Sequence, residues 1–304
     1  MVHLLLAVIY LSFISLGLPD SLLGSAWPSM YGTFGVPVSY AGLISMIISA
    51  GTIVSSLQSD RLTRRLGPGR VTALSVGMTA AALFGFSISG SFWLLCLWAV
   101  PYGLGAGSVD AALNNYVALH YASRHMSWLH CMWGLGAAIG PSVMGMALSG
   151  GAGWNMGYRY ISLLQVGLTA VLLLSLPLWR VHKGSGGEGG GVSAKPLTLA
   201  QVVRIPGAKA VMGAFFCYCG LEQTAILWSS SYLTLCRGIP PEIAAGYAGL
   251  FFLGITVGRG LSGFLTMKFS DAQMIRMGQG ITAVGIAALL LPLGEAVTLT
   301  GLAL

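Results

Sequence analysis

Asp20, Asp110 and Glu222 are three carboxylates placed near the middle of long apolar runs. At that depth in a bilayer an ionisable side chain costs at least about 2.5–3.5 kcal/mol on insertion scales, so each must bind something: a proton, a solute or a buried cation. Asp20 ends Gly17-Leu18-Pro19-Asp20, where proline deletes a backbone donor and kinks a helix. Gly17, Asp20 and Gly24 share one helical face by their spacing. Two roles fit this carboxylate, capping the broken helix or titrating a proton and touching a solute.

A second constellation is Gly103, Gly107, Asp110 and Asn114, again on one helical face. Small residues admit a neighbouring helix or a ligand, while the acid and amide point the same way. Such a stripe serves helix packing with polar glue, or hydrogen-bonds a hydroxylated solute. Asn115 lies about 100° round the helix and is suited to a neighbouring helix. Glu222 and Gln223 open the third constellation, and Arg259 is the cation inside a later span. Glu222 either pairs with Arg259 or meets the ligand. Trp27, Trp133 and Trp228 can stack on a ring or anchor the chain at an interface. His130 beside Trp133 reads as a relay or a packed imidazole, and Gln165 as interhelical glue. Gly258-x-Gly260-x-x-Gly263 has the form of a dinucleotide fingerprint but no strand before it, and is set aside.

The elements that must position these groups are dictated by composition. Of 304 residues, 55% are hydrophobic and 8% charged, with mean hydropathy +0.80. Soluble domains carry about 25% charged residues, so a soluble fold, a secreted disulfide scaffold, a disordered tail and a nucleic-acid module are all excluded. The chain is an all-α polytopic membrane protein. A spanning helix needs about 20 apolar residues, and candidates run over 3–33, 39–59, 71–91, 92–119, 127–148, 157–181, 207–235, 243–266, 273–293 and 295–304. Gly90-Ser91 is the turn signal dividing the third from the fourth. A barrel would show short alternating strands instead. The tenth run is too short to cross, so the chain reads as unfinished. The first is a membrane helix rather than a cleaved leader, because it lacks a basic start and continues past residue 20.

The net charge of +7 is topological. Twelve of the fifteen Lys/Arg fall in or beside alternate connections: Arg61, Arg64, Arg65, Arg70, Arg124, Arg180, Lys183, Lys195, Arg204, Lys209, Lys268 and Arg276. That bias assigns these loops, and the N-terminus, to the cytoplasm. The five cysteines form no paired motif and read as small packing residues, with no metal site.

A Gly-rich polar stretch over 182–206 divides the chain into a first bundle, 1–181, and a second, incomplete one, 207–304. The parts are related. Tyr40-Ala41-Gly42-Leu43 recurs as Tyr247-Ala248-Gly249-Leu250, Gly35-Val36-Pro37 resembles Gly238-Ile239-Pro240, and Gly17-Leu18 resembles Gly220-Leu221. Ordered matches in corresponding spans indicate a parallel repeat of six-helix halves.

After the second span comes Ser56-Leu57-Gln58-Ser59-Asp60-Arg61-Leu62-Thr63-Arg64-Arg65. It resembles the G-x-x-x-D-R-x-G-R-[RK] loop of the major facilitator superfamily at Asp60, Arg61, Arg64 and Arg65, with Ser56 and Thr63 in place of its glycines. The second copy keeps Gly263 and Lys268 but has Met267 where the acid belongs. The resemblance implies two parallel-repeat six-helix bundles, about ten helices here with the last two missing. The acid in helix one and the Asp/Asn run in helix four are most similar to the fucose-permease branch. That likeness implies plasma-membrane, proton-coupled uptake of a sugar-type solute by alternating access, and no enzymatic activity. Asp20 or Asp110 would take the proton. Asn114, Asn115, Glu222, Gln223, Trp27 and Trp228 would contact substrate, with Arg259 a buried charge. Asp60, Arg61, Arg64 and Arg65 would work at the cytoplasmic gate. The expected partners are a small-molecule substrate, protons and the lipid bilayer, with no cofactor and no nucleic acid; no residue pattern speaks to an oligomeric state. An exporter of amphipathic compounds is the alternative favoured by the Met-rich spans, and a non-transporting receptor or assembly partner is another.

Overall fold

The computed structural model describes residues 2–121, 123–181, 199–265 and 267–304. Thirteen helices lie among them: α1 (Val2–Asp20), α2 (Leu22–Phe34), α3 (Tyr40–Leu66), α4 (Pro68–Ser87), α5 (Phe92–His120), α6 (Ser123–Ser149), α7 (Gly153–Val181), α8 (Leu199–Val203), α9 (Ala208–Arg237), α10 (Pro241–Tyr247), α11 (Gly249–Leu265), α12 (Asp271–Leu290) and α13 (Glu295–Ala303). Among the described residues, eight stretches are long and apolar enough to cross a membrane, counting α1 with α2 and α10 with α11 as single spans. The expected ninth span forms α12, but Gln273, Arg276 and Gln279 dilute its apolar character and it is not among the eight. The expected tenth forms the nine-residue α13. Of the expected linker, 182–198 lies outside the described residues, and its end carries the short helix α8.

Prolines break the spans, and neighbouring helices repair them. Pro19 has no N–H to give the carbonyl of Ser15 four residues earlier, and α1 stops at Asp20. That carbonyl instead accepts from Nε2 of Gln165 on α7, while Ser15 Oγ donates to Gln165 Oε1. Gln165 is fully buried, so its expected role as interhelical glue has a definite target. Pro141 frees the carbonyl of Ala137 in the same way, and Ser21 Oγ at the α1–α2 break donates to it over 2.9 Å. In a membrane every freed backbone group must find such a partner.

The α3–α5 contact explains the glycine stripe. A Cβ on Gly103 would lie 2.2 Å from the carbonyl oxygen of Ile48, and one on Gly107 would lie 2.2 Å from that of Thr52. Thr52, Ser55, Ser56 and Ser59 of α3 donate to carbonyls of Gly103, Leu104, Gly107 and Ser108, at 3.3, 2.5, 3.1 and 3.1 Å. Both glycines therefore serve helix packing. Ser56, where the resembled loop has glycine, donates its hydroxyl to the Gly107 carbonyl.

The repeat is not matched locally. α9 runs unbroken through Glu222, since no proline precedes it, whereas α1 stops at Asp20. Conversely α3 begins at Tyr40 and runs on, while the related Tyr247-Ala248-Gly249 falls at the α10–α11 break.

The two halves meet through α2 with α9 and α10, and through α6 with α10 and α11. The contacts of α2 with α9 and of α6 with α10 lie toward the end of the spans away from the basic loops, while those of α6 with α11 continue past mid-span to Cys131 and Thr256. Ser230 Oγ on α9 donates to the Ser25 carbonyl at 3.3 Å. Toward the basic end, the first half of α9 is largely exposed. α9 thus packs on the first half toward one end and is exposed toward the other.

Candidate functional site

Between the halves lies a cavity of about 440 Å³, within the size range of small-molecule sites. Asp20, Asp110, Glu222, Gln223 and Arg259 all line it. Five charged or polar groups from four separate spans are therefore brought to one space.

Asp20 is the last residue of α1, at the break before α2. Its Oδ1 accepts from the Tyr102 hydroxyl of α5 at 3.2 Å, and its Oδ2 accepts from Trp133 Nε1 of α6 at 2.8 Å. Both oxygens are engaged by side chains of other helices, so Asp20 is not a helix cap. Its two donors are neutral. Asp110 is held by Asn114, whose Nδ2 donates to its Oδ1 at 2.9 Å and to its carbonyl at 3.0 Å.

Glu222 does meet Arg259. The guanidinium donates to Glu222 Oε1 at 3.4 Å and to the Tyr218 hydroxyl at 3.1 Å. It also lies 5.0 Å from the centre of the Trp133 ring, within cation–π reach. Trp133 is thus shared: its N–H holds the acid of the first half and its face receives the cation of the second. The Arg259 and Glu222 side chains are 28% and 14% exposed, and so partly stripped of water. The Asp60–Arg64 pair at the end of α3 is 65% and 67% exposed, a surface pair of small worth. Arg61 and Arg65 are exposed beside it, outside the cavity lining.

Several expected contacts are not brought to the cavity. Trp27 is fully buried in the core, its Nε1 donating to the Val38 carbonyl at 2.7 Å. Trp228 packs against the same core cluster. Their side chains point into helix contacts, a direction that residue type does not reveal. Asn115 is exposed on α5 and is not among the lining residues, and Asn114 acts through Asp110. His130 does line the cavity, edge-on to Phe13 with ring centres 5.9 Å apart. Residue type and spacing do not single out Tyr102, and they set Trp133 beside His130 rather than against Asp20 and Arg259. The usable signal was a polar-tipped aromatic deep in a span rather than at its ends. Among the described residues no group of three or more His, Cys, Asp or Glu is placed to hold a metal ion.

The sequence matches the Major Facilitator Superfamily over residues 9–304. The chain belongs to that superfamily. The structure of this major facilitator protein is similar to that of a D-xylose-proton symporter, with TM-score 0.68 and 13% identity over 98% of this chain and 78% of that one. It is similar also to the xylose transporter XylE from E. coli in a partially occluded inward-open conformation, with TM-score 0.71 and 14% identity over 98% and 82% of the two chains. A mutant of the nucleoside transporter NupG gives TM-score 0.67 and 16% identity, covering 97% of this chain and 77% of that one. No curated protein matches the chain. Likeness at these identities establishes the fold. This is an integral multi-pass membrane protein with the architecture of a secondary transporter, and its cargo has to be read from its own side chains.

The Glu222–Arg259 pair carries a direct stability prediction. Glu222→Gln leaves a partly desolvated guanidinium without its counter-charge, at a cost of about 3 kcal/mol, the lower end for breaking a buried pair. Adding Arg259→Gln removes the orphaned charge and recovers part of that loss. Thermal unfolding of the three variants in detergent measures it, and a double variant less stable than Glu222→Gln would refute the pairing energetics.

Proposed function

We propose that this protein moves a small hydroxylated, sugar-type solute across the plasma membrane together with protons, by rocking its two halves about the cavity. The observation that carries the reading is the state of Asp20. Glu222 has a cation at hand, whereas Asp20 has only an indole N–H and a phenol. Its charge is the less compensated of the two, so a proton changes its energetics most. Neutralising it makes the loaded carrier easier to reorient through the bilayer interior.

Asp110, oriented by Asn114, and Gln223 on the opposite wall supply donors and acceptors suited to hydroxyl groups. Glu222 and Arg259, both on the second half, form a charged pair whose guanidinium reaches the Trp133 ring of the first. Residues 1–181 and 207–304 act as the two bundles, joined by 182–206. With the basic loops in the cytoplasm, exposure of the first half of α9 supports an inward-open state, and the Asp60–Arg65 segment acts at the cytoplasmic gate.

The test is sugar-driven proton flux. Purified protein in weakly buffered proteoliposomes is challenged with D-xylose, D-glucose, L-fucose and uridine. The expected result is saturable alkalinisation of the outer medium by at least one of them, abolished by a protonophore. Solute uptake without proton movement would refute the coupling. Uptake of none of the four, with proton-driven expulsion of an amphipathic dye, would replace import by export.

A further inference from the structure

Tyr158, on α7, combines deep burial with an unused hydroxyl. The residue is 1% exposed, yet its Oη finds no hydrogen-bond partner among the described residues. It also lines the cavity between the halves. Leaving a buried hydroxyl unpaired is costly, and the Tyr102 hydroxyl on the neighbouring wall is already engaged, donating to Asp20 at 3.2 Å. Elsewhere in the cavity Trp133 donates to the same carboxylate and Arg259 bonds Glu222.

The walls around this hydroxyl are aromatic and aliphatic. The Phe86 ring meets Tyr158 edge-on at 5.4 Å and stacks near Tyr102 at 6.3 Å, and Trp154 lies edge-on to Tyr158 at 6.2 Å. Leu83 completes the recess. A water molecule needs two to four polar partners to be held, and beside Tyr158 these walls offer the Tyr102 hydroxyl, whose proton is already committed to Asp20. They equally disfavour a full charge. What the recess accommodates is a neutral hydroxyl carried on a compact ring whose apolar face lies against the aromatics.

We propose that Tyr158 determines the specificity of the cavity, its hydroxyl binding one hydroxyl group of a cyclic polyol in the recess lined by Phe86 and Leu83. This rests on the reading of the cavity as a site for a hydroxylated solute, and it adds which residue selects which part of that solute. Tyr158 would act as donor or acceptor toward a single ring position, while Asp110 and Gln223 take others.

The experiment measures binding rather than flux, so that it stands apart from proton coupling. Affinities of wild type and Tyr158→Phe, both the full chain purified in detergent, are determined for D-xylose, D-glucose, L-fucose and uridine and for their monodeoxy analogues. Phenylalanine keeps the ring and its contacts, and melting curves of the two proteins serve as the check on folding. For the parent compound that binds best, removal of one particular hydroxyl should weaken binding to wild type roughly tenfold, the scale of one well-placed hydrogen bond. Tyr158→Phe should bind the parent roughly tenfold more weakly and that deoxy analogue as wild type does, so that the two losses do not add. Wild-type discrimination retained by Tyr158→Phe at every ring position, or an equal loss for the parent and all analogues, would overturn the assignment to Tyr158 and leave the solute class standing. Binding of no compound by wild type would overturn both.

Discussion

Asp20→Asn abolishes accumulation against a gradient and leaves solute exchange largely intact. Asparagine has nearly the shape of a protonated aspartate, and its carbonyl oxygen still accepts from Tyr102 or Trp133, so the α1–α5–α6 contacts around the break persist. What is lost is the ability to take up and release a proton. A carrier locked in the neutral form reorients with solute but cannot be driven by a pH gradient. We expect concentrative uptake to fall by about 100-fold, the effect of removing a few kcal/mol of driving force, with counterflow within about threefold of wild type. Proteoliposomes with and without an imposed pH gradient give both numbers. Asp20→Asn that still accumulates solute would move the proton to Asp110, where the matching substitution Asp110→Asn then carries the same expectation.

Gly24→Ala should open the opposite end of the molecule. A Cβ at residue 24 would lie 2.1 Å from the carbonyl oxygen of Ile226 and 3.0 Å from that of Leu227, both on the other half. Backbone on α9 cannot swing aside as a side chain can, so α2 and α9 must part. Alanine would by itself favour the helix by up to about 1 kcal/mol over glycine, so any loss reports the contact between halves. Overpacking of this kind costs about 1–3 kcal/mol, enough to shift the balance between the two open states by roughly 5- to 150-fold. A cysteine at Ser49, which lines the cavity, reports the shift. Its labelling by an impermeant maleimide from the side away from the basic loops should rise about tenfold or more in Gly24→Ala. Gly32→Ala is the control, because a Cβ there has nothing within 4 Å. Equal labelling in wild type, Gly24→Ala and Gly32→Ala would show that the seal does not depend on close approach at Gly24.

The sequence by itself determined the solvent of this protein and the depth of its charges. Hydropathy is a local property, so runs of apolar residues, the turn at Gly90-Ser91 and the bias of Lys/Arg toward alternate loops are legible without any contact being known. The mid-span positions of Asp20, Asp110 and Glu222 came from counting, and the break at Pro19 from covalent chemistry. The limit of counting is seen at α12, where scattered polar residues leave a helix that hydropathy alone does not rank as a span. Partnership was decided only by the tertiary structure. Asp20 meets Trp133, 113 residues away, and Ser15 meets Gln165, 150 residues away. Such meetings depend on how helices cross and on their rotation about their own axes. One residue of rotation turns a side chain by about 100°, which separates a tryptophan that faces the cavity, Trp133, from two that face the core, Trp27 and Trp228. The glycine stripe shows the same division: its periodicity was visible in one dimension, but that Gly103 and Gly107 serve α3 while Asp110 faces the cavity required a neighbour in place. Residue types and local spacing encode the chemistry available to this chain, and the packing of one span against another decides which of it is used, because packing sets distance and distance sets every electrostatic and hydrogen-bond energy.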